Sequence, residues 1–122
     1  MESPHKGKTG LPRIWNAFNY SLAGLRVAVS QEAAFRQELL LAIILIPTAL
    51  FLGVSAVGKA LMIASVLLVL LIELLNSAIE AAVDHTSLEQ HPLAKSAKDI
   101  GSAAVLLSLL NAMVVWLLIL FG

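Results

Sequence analysis

The feature that most limits how this chain can fold is a set of long segments without charged side chains. Residues 39–58 hold twenty such positions in a row, and residues 100–122 hold twenty-three. A third apolar segment begins at Ala60 and continues into a stretch that carries acidic residues. A helix of about twenty apolar residues is long enough to cross a hydrocarbon layer of about 30 Å. The sequence therefore predicts an all-α membrane protein with three transmembrane helices, at about 32–54, 59–84 and 97–121.

An additional helix is predicted before the first span. Residues 12–30 carry apolar side chains at three- and four-residue spacing, which is the pattern of a helix with one apolar face. Aromatic residues belong to that face and basic residues lie mostly off it, as in helices that lie flat on a membrane surface. Residues 1–11 contain two lysines and no periodicity, so we expect a flexible basic tail ahead of a single domain formed by residues 12–122.

The basic residues predict how the chain is oriented. Seven of the eight lysines and arginines lie before the first span or between the second and third spans, and only Lys59 lies in the other connection. Because basic residues concentrate on the cytoplasmic side, we expect the N-terminus and the loop 85–96 to be cytoplasmic. The eight basic residues are balanced by eight acidic ones, which leaves no electrostatic footprint for nucleic acid. The absence of cysteine excludes disulfide and thiol chemistry.

Four polar residues interrupt the second predicted span. Glu73, Asn76, Glu80 and Asp84 lie at offsets 0, 3, 7 and 11, so a helix projects all four from one face. Carboxylates within a membrane are costly and usually mark a functional site that faces protein or water. The alternative is that they are polar contacts between helices, which would rarely need three acids and an amide in register. Glu73 lies about 10 Å deeper than Glu80 and could serve as a general base.

The acids near the cytoplasmic ends of the helices suggest a metal site. Glu32 and Glu80 lie on different helices, and two carboxylates can hold magnesium (Mg2+), which keeps part of its coordination for substrate phosphates. Glu32 alone would equally suit an ion pair with Arg36, four residues later. Lys98 could contact phosphate oxygens, or it could form a pair with Asp99 that anchors the helix end.

Two segments together resemble a known family. The segments ELLNSAIEAAVD (73–84) and AKDIGSAAV (97–105) closely resemble the prokaryotic membrane diacylglycerol kinases. The upstream segments YSLAGLR (20–26) and EAAFRQE (32–38) are similar as well, so the resemblance extends from about Arg13 to the third span. The pattern E-x-x-N-S-A-I-E in the first segment is highly specific.

The resemblance implies an activity, an assembly and a set of site residues. It implies ATP-dependent phosphorylation of the diacylglycerol hydroxyl to phosphatidic acid, by a homotrimer in the bacterial inner membrane. It implies that Glu73 is the base that accepts the hydroxyl proton, that Glu32 and Glu80 bind Mg2+, and that Asn76 orients its neighbours. The remaining roles implied are nucleotide contacts for Arg13, Tyr20, Glu32, Glu80, Glu89, His91, Lys98 and Asp99, and lipid contacts for Arg13, Gln37, Glu73 and Ser102.

Three other functions are compatible with the same residues. An undecaprenol kinase would use the same chemistry, and related small membrane kinases do act on that polyprenol. A proton or cation pathway along the acidic face would give ion flux in liposomes without ATP, although no internal repeat of the transporter kind is visible. A structural membrane subunit would show an effect of changing Glu73 on assembly alone.

Overall fold

The chain folds into four helices, three of which are long and apolar enough to cross a membrane. In the computed structural model, residues 9–86 and 91–122 are described, so Glu89 and most of the predicted tail lie outside the described residues. The helices are α1 (Leu11–Gln31), α2 (Ala33–Phe51), α3 (Ala56–Thr86) and α4 (Pro92–Phe121). The prediction of an all-α protein with one amphipathic helix and three spans is confirmed. Helix α4 begins five residues earlier than predicted, because Pro92 suits a first helical turn and His91 caps it.

Helix α1 has little contact with the rest of the protein. Ala28 is its one buried residue, whereas Ile14, Trp15 and Phe18 are exposed. The rings of Trp15 and Phe18 lie 6.2 Å apart and form a continuous apolar surface. Such a surface is typical of a helix whose apolar face enters the boundary between lipid headgroups and acyl chains.

A single extended residue, Glu32, joins α1 to α2. Its backbone angles are φ −111° and ψ 103°, which interrupt the helix and leave carbonyl groups at the end of α1 without their usual partners. Arg36 supplies replacements, since its Nη1 donates to the carbonyls of Val29 at 2.8 Å and Ser30 at 3.2 Å. A cation is also favoured at this negative end of the helix dipole. Within the described residues Arg36 thus caps α1 and forms no ion pair with Glu32, because its guanidinium group is bonded to these two carbonyls instead.

Helix α3 is the centre of the bundle and packs against both α2 and α4. Ser55 begins it, because its Oγ accepts a hydrogen bond from the Gly58 amide at 3.0 Å. Trp116 of α4 donates from Nε1 to the carbonyl of Met62 at 3.2 Å, which fixes one register between α3 and α4. The buried apolar side chains are Ala28, Phe35, Ala42, Ala49, Met62, Val66 and Val69. Several of these are small, as is usual where membrane helices approach closely.

The outer surface of α4 is apolar and largely uncovered. Of this helix, which is described over its whole length, only Gly101 and Ser108 are buried. Exposed leucines and valines occupy the remaining faces, among them Leu106, Leu107 and Val114. Lipid or further copies of the chain must cover this surface.

The length of α3 determines the depth of its acidic residues. With 31 residues it extends about 46 Å, which exceeds a hydrocarbon layer of about 30 Å. Its last turns therefore reach the membrane interface, and they carry Glu80 and Asp84. Glu73 lies about two turns further in.

Candidate active site

Glu73 is the most enclosed acidic group among the described residues. It is 6 % exposed, and its Oε2 atom has no hydrogen-bond partner in that part of the chain. The carboxyls of Glu80 and Glu32 lie close enough to interact with it electrostatically. Burying a carboxyl without a hydrogen-bond partner costs free energy, and ionisable residues within membrane spans usually mark functional sites.

The joint at Glu32 brings the cluster together. Because α1 ends at Gln31 and α2 begins at Ala33, the Glu32 side chain emerges where the two helices change direction. It is partly buried, as is Glu80 on α3. The structure thus brings Glu32 of one segment near Glu73 and Glu80 of another, as the sequence analysis had selected them.

Glu38 is a fourth member of the cluster that the sequence analysis did not select. It lies on α2, its Oε2 is buried without a hydrogen-bond partner in the described chain, and its carboxyl interacts electrostatically with Glu73. The neighbouring Gln37, to which the resemblance assigned a lipid contact, is exposed. The sequence did contain an indication of this role, because Glu38 is the last charged residue before the uncharged segment 39–58 and is therefore the deepest acidic residue on α2.

Asn76 fixes the position of Glu80. Its Nδ2 donates to Glu80 Oε1 at 3.2 Å, across one helical turn of α3. The Oε2 atom of Glu80 takes no part in that bond and stays available to a ligand.

The donor set at this cluster fits magnesium better than a metal held by protein alone. Nowhere in the described ranges do three or more histidine, cysteine, aspartate or glutamate side chains form a group that could hold a metal. Glu32 and Glu80 offer carboxylate oxygens only, which are hard ligands. Mg2+ is commonly bound by one or two carboxylates together with substrate phosphates. In their chemistry, the two carboxylates would suit a magnesium ion that arrives with a phosphate-bearing substrate.

Two ion pairs lie near the N-terminal end of α4. Lys98 Nζ lies 3.0 Å from Asp84 Oδ1 and thus links α4 to α3, while Lys95 Nζ lies 2.6 Å from Asp99 Oδ2. Lys98 also interacts with the carboxyl of Glu80. The alternative prediction, that Lys98 pairs with Asp99, is therefore wrong, because each has a different partner. Lys98 is partly exposed and within electrostatic range of the acidic cluster, where it can meet an incoming anion.

The other predicted site residues that the structure describes lie on the surface of the chain. Arg13 and Tyr20 are exposed on α1, and Ser102 is exposed on α4. His91 caps α4, since its Nδ1 accepts a hydrogen bond from the Leu93 amide at 3.1 Å. Glu89 lies outside the described residues.

A cavity of about 600 Å³ lies between α1 and α3, beside the cluster. Its volume is in the range of small-molecule pockets. Its lining is mostly apolar, and Glu32 contributes to it. The α1 side is formed by Ser21, Gly24, Leu25, Val27, Ala28 and Gln31, and the α3 side by Leu74, Ser77, Ala78 and Ala81. The cavity can accommodate an apolar molecule whose polar end reaches the carboxylates.

Comparison with known proteins identifies the family of this chain. The chain is 59 % identical to a diacylglycerol kinase of Pseudomonas aeruginosa, over 98 % of both chains. It is 47 % identical to the diacylglycerol kinase of Escherichia coli K12 over 93 % of both chains, and 50 % identical to that of Haemophilus influenzae over 93 % of this chain and 96 % of the relative. The family model described as prokaryotic diacylglycerol kinase matches residues 19–120, which include all four carboxylates of the cluster. The chain therefore belongs to the prokaryotic diacylglycerol kinase family.

Proposed function

We propose that this protein transfers the γ-phosphoryl group of ATP to the hydroxyl of diacylglycerol and so forms phosphatidic acid. The observation that carries the proposal is the Glu73 carboxyl, which is buried within a span and lies beside Glu32 and Glu80. A base at that depth can reach the hydroxyl of a lipid that stays in the membrane. The relatives named diacylglycerol kinase, two of them 59 % and 50 % identical, support the same reaction.

The reaction requires one proton acceptor and several positive charges. The lipid hydroxyl oxygen attacks the γ-phosphorus, the bond from that phosphorus to the bridging oxygen breaks, and ADP leaves. Glu73 accepts the hydroxyl proton, and Lys98 offsets negative charge on the phosphates. When bound by Glu32 and Glu80, Mg2+ supplies further positive charge to the phosphate oxygens. Positioning and charge neutralisation are the main contributions that a protein makes to phosphoryl transfer.

The proposed environment follows from the distribution of bases and apolar surface. With seven of eight basic residues on one side, the N-terminus and the loop 85–96 lie in the cytoplasm, where ATP is available, and the spans cross the bacterial inner membrane. The uncovered apolar faces of α4 favour self-association, and a homotrimer would also shield the acidic cluster from lipid.

The test is transfer of label from γ-labelled ATP to lipid, with purified protein in mixed micelles that contain diacylglycerol and Mg2+. Labelled phosphatidic acid is expected. Undecaprenol in the same detergent is the alternative acceptor. If that alcohol is labelled faster than diacylglycerol, undecaprenol is the preferred substrate. If folded protein labels neither alcohol, lipid kinase activity is refuted, and ion flux in liposomes becomes the next measurement.

Filling the cavity should block the lipid and leave ATP binding intact. A Cβ atom on Gly24 would meet nothing within 4 Å in the described structure, and Gly24 lines the cavity, so Gly24→Leu should take up part of its volume. We expect the KM for diacylglycerol to rise about tenfold, since a few buried CH₂ groups of the lipid lose their place at about 0.8 kcal/mol each. Ala23→Leu is the control, because Ala23 does not line the cavity. An equal rise in both variants would exclude the cavity as the lipid site.

Lys98 and Asp84 should have separable effects although they form one ion pair. Lys98→Gln is expected to raise the KM for ATP about tenfold, because a hydrogen bond to a charged group contributes about 1.5 kcal/mol. Asp84→Asn should change the free energy of unfolding by less than about 1 kcal/mol, as is usual for exposed ion pairs. Steady-state kinetics and thermal unfolding of both variants provide the measurements. An unchanged KM in Lys98→Gln would exclude Lys98 from the nucleotide site.

A further inference from the structure

Helices α3 and α4 are in close contact where Asn76 faces Gly101. Gly101 is buried, and a Cβ atom on it would overlap with the Asn76 Oδ1 atom and lie 3.3 Å from Asn76 Cγ. All three of the nearest atoms that this Cβ would meet belong to the Asn76 side chain. The missing side chain at position 101 therefore makes room for one group, the amide of Asn76.

The orientation of that amide matters for the candidate active site. Asn76 Oδ1 is buried on the Gly101 side and has no hydrogen-bond partner in the described chain, while Nδ2 donates to Glu80 Oε1 at 3.2 Å. Turning the amide over would place its oxygen against the Glu80 carboxylate, where two acceptors would repel each other. A side chain at position 101 would displace Asn76 and thereby break the bond to Glu80.

We propose that Gly101 is a positioning residue, which accommodates the Asn76 amide so that Asn76 can hold Glu80 for magnesium and nucleotide. This inference rests on the proposed function, in which Glu80 binds Mg2+. Gly101 acts through Asn76 and does not itself touch a substrate. Groups that orient metal ligands typically change metal affinity or activity by about ten- to a hundredfold when removed.

The first test is Gly101→Ala in the full-length protein, with metal binding as the readout. Mn2+ serves as a paramagnetic substitute for Mg2+, and its binding with a non-hydrolysable ATP analogue is measured by electron paramagnetic resonance. We expect about ten- to a hundredfold weaker Mn2+ binding in Gly101→Ala, and a similar loss in Asn76→Ala. Gly53→Ala is the control, because a Cβ atom on Gly53 would meet nothing within 4 Å in the described structure, and it should bind Mn2+ like the wild type.

The double variant Asn76→Ala/Gly101→Ala tests whether the effect passes through Asn76. With the amide removed, the methyl group at position 101 has nothing to displace, so the double variant should bind Mn2+ as weakly as Asn76→Ala and no weaker. Its thermal stability should exceed that of Gly101→Ala. If Gly101→Ala fails to assemble, the double variant should still do so.

Three results would overturn the inference: wild-type Mn2+ binding in Gly101→Ala, additive losses in the double variant, or failure of the double variant to assemble. A failure of the proposed function is a separate outcome, because it appears as the absence of labelled lipid with the wild-type protein. Mn2+ binding with the nucleotide analogue does not require the lipid acceptor.

Discussion

Replacing Glu73 with glutamine should abolish transfer of label from ATP to diacylglycerol while the oligomer still forms. Glutamine has nearly the same shape, but its amide cannot accept the proton that leaves the lipid hydroxyl. General base catalysis contributes about 10²- to 10⁴-fold, so we expect a loss of at least that size in kcat. Nucleotide binding should persist, because the proposed nucleotide contacts lie nearer the interface than Glu73 does.

The control for this change is Thr48→Val, which removes a polar group from α2 with little change in shape. Thr48 Oγ1 is exposed and donates only to the Ile44 carbonyl of its own helix, at 2.7 Å. The Thr48→Val variant should therefore have near wild-type activity. Assembly is measured by light scattering with correction for detergent. Loss of the oligomer in Glu73→Gln would indicate that this carboxyl serves as an interhelical contact. Full activity would exclude it as the base.

Replacing Glu80 with glutamine should raise the Mg2+ concentration required for half-maximal rate by more than about tenfold. The substitution removes a negatively charged ligand but keeps an acceptor for the Asn76 amide, so the local packing should survive. Glu32→Gln should shift the Mg2+ dependence in the same direction. Initial rates are measured against free Mg2+ at saturating ATP and lipid.

Asp84→Asn provides the comparison for Glu80, since Asp84 belongs to the same face of α3 one turn further on. The substitution removes the same charge as Glu80→Gln does. Because the Asp84 carboxylate is already paired with Lys98, however, the Mg2+ requirement should change little. In the double variant Glu32→Gln/Glu80→Gln, the change in apparent free energy of Mg2+ binding should be smaller than the sum of the two single changes. This is expected for two ligands of one ion. An unchanged Mg2+ dependence in Glu80→Gln would exclude Glu80 from the metal site.

The helices of this protein could be predicted from its sequence because the bilayer imposes a length and a polarity on each span. The uncharged segments specified α2 and α4, and the spacing of apolar residues specified α1. The helix ends were less certain, because they depend on caps. His91 begins α4 before the predicted start, and Arg36 stabilises a break at Glu32 that the i, i+4 spacing did not indicate.

The candidate site was only partly predictable, for a related reason. The stripe of Glu73, Asn76 and Glu80 is visible within one helix, because helical spacing alone brings those residues together. The contacts between helices are not visible in that way. The pair between Lys98 and Asp84 depends on the register of α3 against α4, as does the contact of Gly101 with Asn76. The burial of the Glu38 Oε2 atom depends on how α2 is rotated toward α3.

The joint at Glu32 makes the geometry of the acidic cluster sensitive to the surrounding lipid bilayer. One extended residue links α1 to α2, and the same residue carries a carboxylate of the acidic cluster. The angle between an interfacial helix and a span is set by the headgroups and acyl chains around them as well as by the polypeptide. The bilayer thus dissolves the protein, would supply its lipid substrate, and helps to hold α1 in place relative to α2. We therefore expect a change in lateral pressure or acyl composition to shift the position of Glu32, and with it the turnover of this protein.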